Sequence, residues 1–271
     1  MKIIYKFYDL TQGKITSRPS KKIKSPYMAD VLINKTNELA HSPGLGLCGF
    51  ITTDSKVLLS KSKNPNRKSK YTIEMVEIIN DDNKKVWVGA NPVTSNLYFK
   101  NIIEKELLSY FPKIINIKQE YKFKKYDSRF DFYLEDENKK YLVEIKNVPL
   151  VDYPEDKMPT FRKFPIRKTK KRNAIFPDGY QGKKDICVSP RALKHLQELL
   201  KIHKKEKDIT PVLIFVVQRE DCHGFTPNFD KDPVYSNELK KAHKEGLLIK
   251  AIMLKLGPRN VKFIKELPII F

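Results

Sequence analysis

Ser128-Arg129-Phe130-Asp131-Phe132-Tyr133-Leu134-Glu135-Asp136-Glu137-Asn138-Lys139-Lys140-Tyr141-Leu142-Val143-Glu144-Ile145-Lys146-Asn147 reads as two β-strands joined by a polar turn. Phe130, Phe132 and Leu134 alternate with Asp131 and Tyr133, and Tyr141, Val143 and Ile145 alternate with Leu142, Glu144 and Lys146, the pattern of a pleated strand. A turn centred between Glu137 and Asn138 places Asp131 opposite Glu144, with their Cβ atoms roughly 5 Å apart.

Two adjacent carboxylates repel each other and persist as a pair only when one is protonated or a cation lies between them. Mg²⁺ or Mn²⁺ suits such a pair, because a hard cation accepts a few carboxylate oxygens and completes its shell with water and phosphate. Lys146, two residues after Glu144, falls on the same face of the pleat and is placed to hold water or neutralise charge developing on a phosphate. The chemistry this predicts is metal-dependent hydrolysis of a phosphodiester by Asp131, Glu144 and Lys146. An edge strand with one solvated face gives the same pattern and makes Glu144 and Lys146 surface residues. Against that, charges inside an apolar strand are costly unless paired or bound to metal.

Composition agrees with a polyanionic partner. The 271 residues carry 53 Lys and Arg against 32 Asp and Glu, a net charge of +21, which attracts nucleic acid through long-range forces and counterion release. DNA, single- or double-stranded, is the expected partner and RNA the alternative; charge alone also admits a membrane surface. Cys48, Cys187 and Cys222 are far apart and lack metal-ligand or disulfide-framework spacing. The amino-terminal run is too charged for a signal peptide, and no stretch approaches the ~18 apolar residues of a membrane span. A soluble, cytoplasmic protein is expected, without a membrane partner; a homodimer is compatible with it.

Residues 1–90 read as short strands between Gly, Pro, Asn and Ser, at 3–8, 27–33, 47–52, 57–60, 71–79 and 86–88, which suggests a small barrel. From residue 91 the pattern becomes mixed. The spacing predicts a helix over 95–110 capped by Ser95, a strand over 117–123, and a second helix over 190–205 with Ser189 as cap and Pro190 in its first turn. A buried strand over 212–217, a helix over 236–245 ending at Gly246, and a strand over 247–256 complete an α/β core with a mixed sheet.

Prolines interrupt residues 148–185, which read as a long loop. Within it Arg162, Lys163, Arg167, Lys168, Lys170, Lys171 and Arg172 alternate with Phe161, Phe164 and Phe176, a mixture suited to phosphates and bases or to a solvated basic loop. A second cluster, Lys61, Lys63, Arg67, Lys68 and Lys70 beside Tyr71, falls in the barrel half, where a solvated turn is the plain alternative.

Over nearly its whole length the chain resembles the sugar fermentation stimulation protein A family. The resemblance rests on Tyr27-Met28-Ala29-Asp30-Val31, Asn66-Arg67-Lys68 with Tyr71-Thr72 and Glu74, Asn91, Glu120 with Lys122, Ser128-Arg129-Phe130-Asp131-Phe132 and Val143-Glu144-Ile145-Lys146. Phe176-Pro177-Asp178, Lys194-His195-Leu196 and Phe215-Val216-Val217-Gln218-Arg219 extend it. It implies an OB-like barrel over 1–90, a PD-(D/E)XK nuclease-like domain over 91–271 with a mixed sheet flanked by helices, and DNA binding. It also implies Asp131, Glu144 and Lys146 as the motif positions, and marks about 154–173 and 179–186 as a basic insertion. Where the family offers a helix glutamate, alignment sets Asn101, with Glu104 one turn later as a substitute metal-site acid; Glu120 is a further acid on a neighbouring strand. Arg129, Arg191, Lys194 and His195 are candidate nucleic-acid contacts, and His41 and Gln218 are expected beside the site. The barrel segment His41-Ser42-Pro43-Gly44-Leu45-Gly46 and the helix start Ser189-Pro190-Arg191-Ala192 depart from the family pattern.

Overall fold

A computed structural model of the chain describes residues 1–47, 49–123, 125–159, 163–177 and 187–271. Its first half contains β1 (Lys2–Lys6), β2 (Leu10–Ser17), β3 (Met28–Ile33), β4 (Thr36–His41), β5 (Lys56–Lys61), β6 (Tyr71–Ile79) and β7 (Lys85–Gly89). There follow α1 (Thr94–Glu104), β8 (Asn116–Lys122), β9 (Arg129–Glu135), β10 (Lys140–Val148), β11 (Asn173–Phe176) and α2 (Pro190–Lys205). β12 (Ile209–Val217), β13 (Gly224–Pro227), α3 (Pro233–Lys244), β14 (Leu248–Leu256) and β15 (Asn260–Leu267) complete the chain.

The barrel runs β4-β3-β2-β5-β6 and closes where β4 pairs with β6, Ala40 opposite Tyr71 and His41 opposite Thr72, with β7 added outside β6. Ile15, Val31, Val57, Leu59, Ile73 and Val76 fill it. Gly13 is required by this packing, since a Cβ there would lie 2.5 Å from Val31 Cγ1. Three expectations are corrected. The amino-terminal strand leaves the barrel and pairs antiparallel with β15. In place of the strand expected over 47–52, Leu47 ends a single 3₁₀ turn, Leu45–Leu47, residues 49–51 form a turn and bend, and Leu47, Phe50 and Ile51 are buried without a ladder. β2 and β4, rich in Lys, Thr, Asn and Glu, lack the apolar alternation that marked the other strands.

The large sheet has the order β1-β15-β14-β12-β10-β9-β8, with β10, β12 and β14 parallel at its centre. The near-continuous apolar sequence of β12 follows from cover on both faces. Tyr98, Phe99 and Ile102 of α1 pack with Val143 and Ile145 on one face, and Leu196 and Leu199 of α2 and Leu239 of α3 with Leu142 and Phe215 on the other. α1 stops short of the expected residue 110: Lys105 caps it and Glu106 takes a positive φ of 53°. Neither predicted serine cap makes a side-chain capping bond; Ser95 lies inside α1, while ahead of α2 the Asp232 carboxylate accepts from Val188 N and Ser189 N. Asp232 also caps α3 by accepting from Tyr235 N.

Within the expected long loop β11 pairs parallel with β13, and Phe164 is buried, 5.6 Å between ring centroids from Phe50 and 5.0 Å from Tyr153. Phe176 packs against Phe215 and Tyr235. These aromatics serve the core, so their expected role as base-stacking platforms is withdrawn. Phe161, Arg162 and Asp178 lie outside the described residues. Among the described residues no helix is long and apolar enough to cross a membrane.

Candidate active site

The turn forms where expected: Asp136 accepts from Asn138 N and Lys139 N, both at 2.7 Å, and Tyr141 Oη donates to it at 2.8 Å. The β9–β10 register runs from Lys140 opposite Glu135 to Val143 opposite Phe132. The next step of that register brings Glu144 beside Asp131, whose Oδ2 accepts from Ile145 N at 2.7 Å. β10 is a central strand between β9 and β12, so the solvated-edge alternative fails. Glu144 is only 3% exposed.

Around Glu144 the chain assembles a cluster. Lys146 Nζ donates to Glu144 Oε1 at 2.6 Å, and His195 Nδ1 on α2 contacts the same oxygen. Glu144 Oε2 is buried and has no hydrogen-bond partner among the described residues. Asp131 Oδ1 accepts from Asn96 Nδ2 of α1 at 2.8 Å. Burial and the neighbouring Glu144 carboxylate push the Asp131 carboxyl up to about 6. Burial acts on Glu144 in the same direction, but His195 and Lys146 outweigh it and hold this carboxyl below its usual range. The orphaned Glu144 oxygen, the raised neighbour and the all-oxygen acid pair fit a hard divalent cation. Among the described residues no three His, Cys, Asp or Glu side chains converge as a complete ligand set, so water and substrate oxygens would have to fill the shell.

The remaining predicted residues divide. Arg191 and Lys194, in the first turns of the helix that carries His195, and Arg129 at the start of β9 are not buried in the core. Gln218 is fully buried behind the cluster, donating to Ser95 Oγ at 2.9 Å and Asn147 Oδ1 at 2.8 Å, and so braces α1 against β10. It also lies against β7, where a Cβ on Gly89 would collide with Gln218 Oε1. Glu120 follows from the register as the β8 neighbour of Asp131, between Gln119 opposite Phe132 and Tyr121 opposite Phe130, but it is exposed and its φ is +52°. Asn101 and Glu104 are corrected out of the site: Asn101 Nδ2 donates to Ile4 O at 2.9 Å, and Glu104 pairs with Lys100 at the far end of α1. Asn96 reaches Asp131 in their place. Its only sequence signal is a polar residue in the first turn of a helix entered through Asn91-Pro92.

His41 belongs to the barrel, where burial and Arg67 hold its imidazole below the usual range. Arg67, Lys68 and Lys70 are exposed on the β5–β6 connection. Lys163, Lys168, Lys170 and Lys171 are also exposed, Lys168 being 3.3 Å from Asp230. Arg167 and Arg172 are withdrawn as nucleic-acid contacts. Arg167 pairs with Asp81 at 2.8 Å and Asp152 at 3.2 Å, while Arg172 binds Asp81, Asp82 and Asp221 with its side chain 3% exposed. Removing them from those acids would strand buried carboxylates.

A closed five-stranded, OB-like barrel followed by a mixed sheet flanked by helices, with an acid–lysine cluster on its central strand, defines the class. A family model described as the sugar fermentation stimulation protein RE domain matches residues 93–260, and the chain belongs to the sugar fermentation stimulation protein family. The sugar fermentation stimulation protein homolog of Crocosphaera subtropica is 28% identical over 267 residues, covering 96% of this chain and 95% of its own. That of Bdellovibrio bacteriovorus is 29% identical over 248 residues, covering 87% and 88%. The fold matches a Pyrococcus furiosus SfsA structure, described as a complex with Ca²⁺, with a TM-score of 0.77 at 20% identity over the whole of both chains.

Proposed function

We propose that the protein is a nuclease that hydrolyses phosphodiester bonds of DNA with the help of Mg²⁺ or Mn²⁺. The observation that carries this reading is the pairing of half-buried Asp131 with buried Glu144 beside Lys146, with Glu144 Oε2 unsatisfied among the described residues. The Ca²⁺ named for the Pyrococcus furiosus structure supports a hard divalent ion in this fold. Such an ion supplies charge neutralisation at the scissile phosphate and acidifies water. Asp131 and Glu144 would hold it. Lys146 Nζ, with its side chain 12% exposed, donates to Glu144 Oε1 and orients the attacking water or a non-bridging phosphate oxygen. Arg129, Arg191 and Lys194 contact flanking phosphates, and the basic β5–β6 connection extends the electrostatic footprint along the strand.

The test is incubation of labelled single- and double-stranded DNA and RNA with purified protein in Mg²⁺, Mn²⁺ or EDTA, alongside Lys146→Ala. Metal-dependent products that disappear in the variant are expected, and the set of cleaved substrates defines the class. Salt-sensitive binding with no products in any metal would overturn the nuclease reading and leave a DNA-binding protein that retains the fold.

A further inference from the structure

The two acids are held unequally. Three of their four carboxylate oxygens accept from the protein: Asp131 Oδ1 from Asn96, Asp131 Oδ2 from Ile145 N–H, and Glu144 Oε1 from both Lys146 and His195. The fourth, Glu144 Oε2, is shielded from water and has no donor among the described residues. An unsatisfied buried carboxylate oxygen is costly, and two donors crowded on its twin fix the plane of the group so that this oxygen alone stays open. His195 is not free to swing away: it is 7% exposed, its ring lies 6.2 Å between centroids from Phe130, and it sits on a helix anchored by Leu196, Leu199 and Leu200 in the core. Asn96 likewise comes from the first turns of α1, whose Ser95 is tied to Asn147 at 3.0 Å.

We propose that the site takes a single divalent cation, received by Glu144 Oε2 and Asp131, and that His195 and Asn96 are positioning residues that set the planes of those two carboxylates. The Oε1 edge of Glu144, where a second ion would have to bind, is occupied by the Lys146 ammonium and the His195 ring. His195, at first sight a phosphate contact, therefore acts through Glu144. This inference rests on the metal-dependent reading of the site and deepens it.

Mn²⁺ titration followed by electron paramagnetic resonance tests it without recourse to activity. One bound Mn²⁺ per chain is expected, lost in Glu144→Gln. His195→Ala and Asn96→Ala are expected to weaken binding by about 10–100-fold, the usual cost of removing an outer partner of a ligand. His195→Gln, whose amide can still donate to Glu144 Oε1, should recover most of the affinity and the wild-type spectrum, which separates positioning from a merely structural role. Should His195→Ala fail to fold, the His195→Gln and Asn96→Ala pair carries the comparison. Two ions per chain, or unchanged affinity in both alanine variants, would overturn the proposal. Absence of any Mn²⁺ binding sensitive to Glu144→Gln would instead overturn the metal reading itself.

Discussion

Replacing Asp131 by Asn should make the metal-free protein more stable at neutral pH. Burial and the Glu144 carboxylate raise the Asp131 carboxyl from 3.8 to about 6, and the donors Ile145 N–H and Asn96 offset only part of that. The folded chain therefore binds more protons than the unfolded chain between about pH 4 and pH 6, so stability falls as pH rises through that window. The loss reaches about 3 kcal/mol above about pH 6. Asn has nearly the same shape and no charge, and its carbonyl can still accept from Ile145 N–H. Urea unfolding in EDTA should show the variant gaining about 2–3 kcal/mol over wild type at about pH 8 relative to the same comparison at about pH 4, where Asp131 is protonated in the folded state. Mn²⁺ should reverse the order at the higher pH, because ligand binding stabilises only the chain that binds it. A stability difference between variant and wild type that is the same at both pH values would refute the reasoning.

Arg219→Ala should cost about 3–5 kcal/mol in urea unfolding, since Arg219 is fully buried and donates to Asp221 at 2.6 and 2.9 Å and to Pro149 O at 3.2 Å. Arg219, Arg172 and Arg167 tie the β6–β7 turn of the barrel to the insertion and to the segment after β12, so the loss should appear as one cooperative shift in the midpoint. On DNA, the triple variant Lys63→Ala, Arg67→Ala, Lys68→Ala should lower the slope of log binding constant against log salt by up to about 2.7, which is about 0.9 for each phosphate no longer neutralised. Fluorescence anisotropy across a salt series checks this; an unchanged slope would remove the β5–β6 connection from the interface.

What could be read from the sequence is what local periodicity determines. The β9–β10 hairpin was legible because strict alternation fixes which residues share a face and the polar break fixes the register, so the pattern alone pairs Asp131 with Glu144 as the structure does. α2 was legible to its ends because Pro190 starts it and its leucines keep helical spacing. Long-range pairings were not. β1 joins β15 across almost the whole chain, and nothing in Lys2–Lys6 distinguishes a barrel strand from an added edge. His195 was visible as a polar residue on an amphipathic helix and, through the resemblance, as a nucleic-acid contact; its contact with Glu144 depends on how α2 crosses the sheet. Asn96 was missed because the resemblance set Asn101 at the family's helix-glutamate position, more than a turn of helix away from the end of α1 that meets β9.

The fate of the basic insertion turns on a distinction between arginine and lysine that net charge hides. Asp81, Asp152 and Asp221 are themselves mostly buried, and each needs donors from more than one direction. A planar guanidinium can serve two acids at once and is weakly hydrated, whereas a lysine ammonium is compact, strongly hydrated and better left in water. Arg167 and Arg172 accordingly turn inward, while Lys163, Lys168, Lys170 and Lys171 around them stay exposed. The residue type is not decisive alone, because Arg67, Arg129 and Arg191 are exposed. Arg67 lies on a connection without acids, and Arg129 and Arg191 lie on elements of the Asp131–Glu144 pair, whose oxygens already take donors from Asn96, Ile145 N–H, Lys146 and His195. An arginine of this chain turns inward where buried carboxylates need its donors and stays exposed where they are already met. Much of the +21 charge survives on the surface for that reason, and the arginines that hold the barrel to the sheet are the part of it that does not.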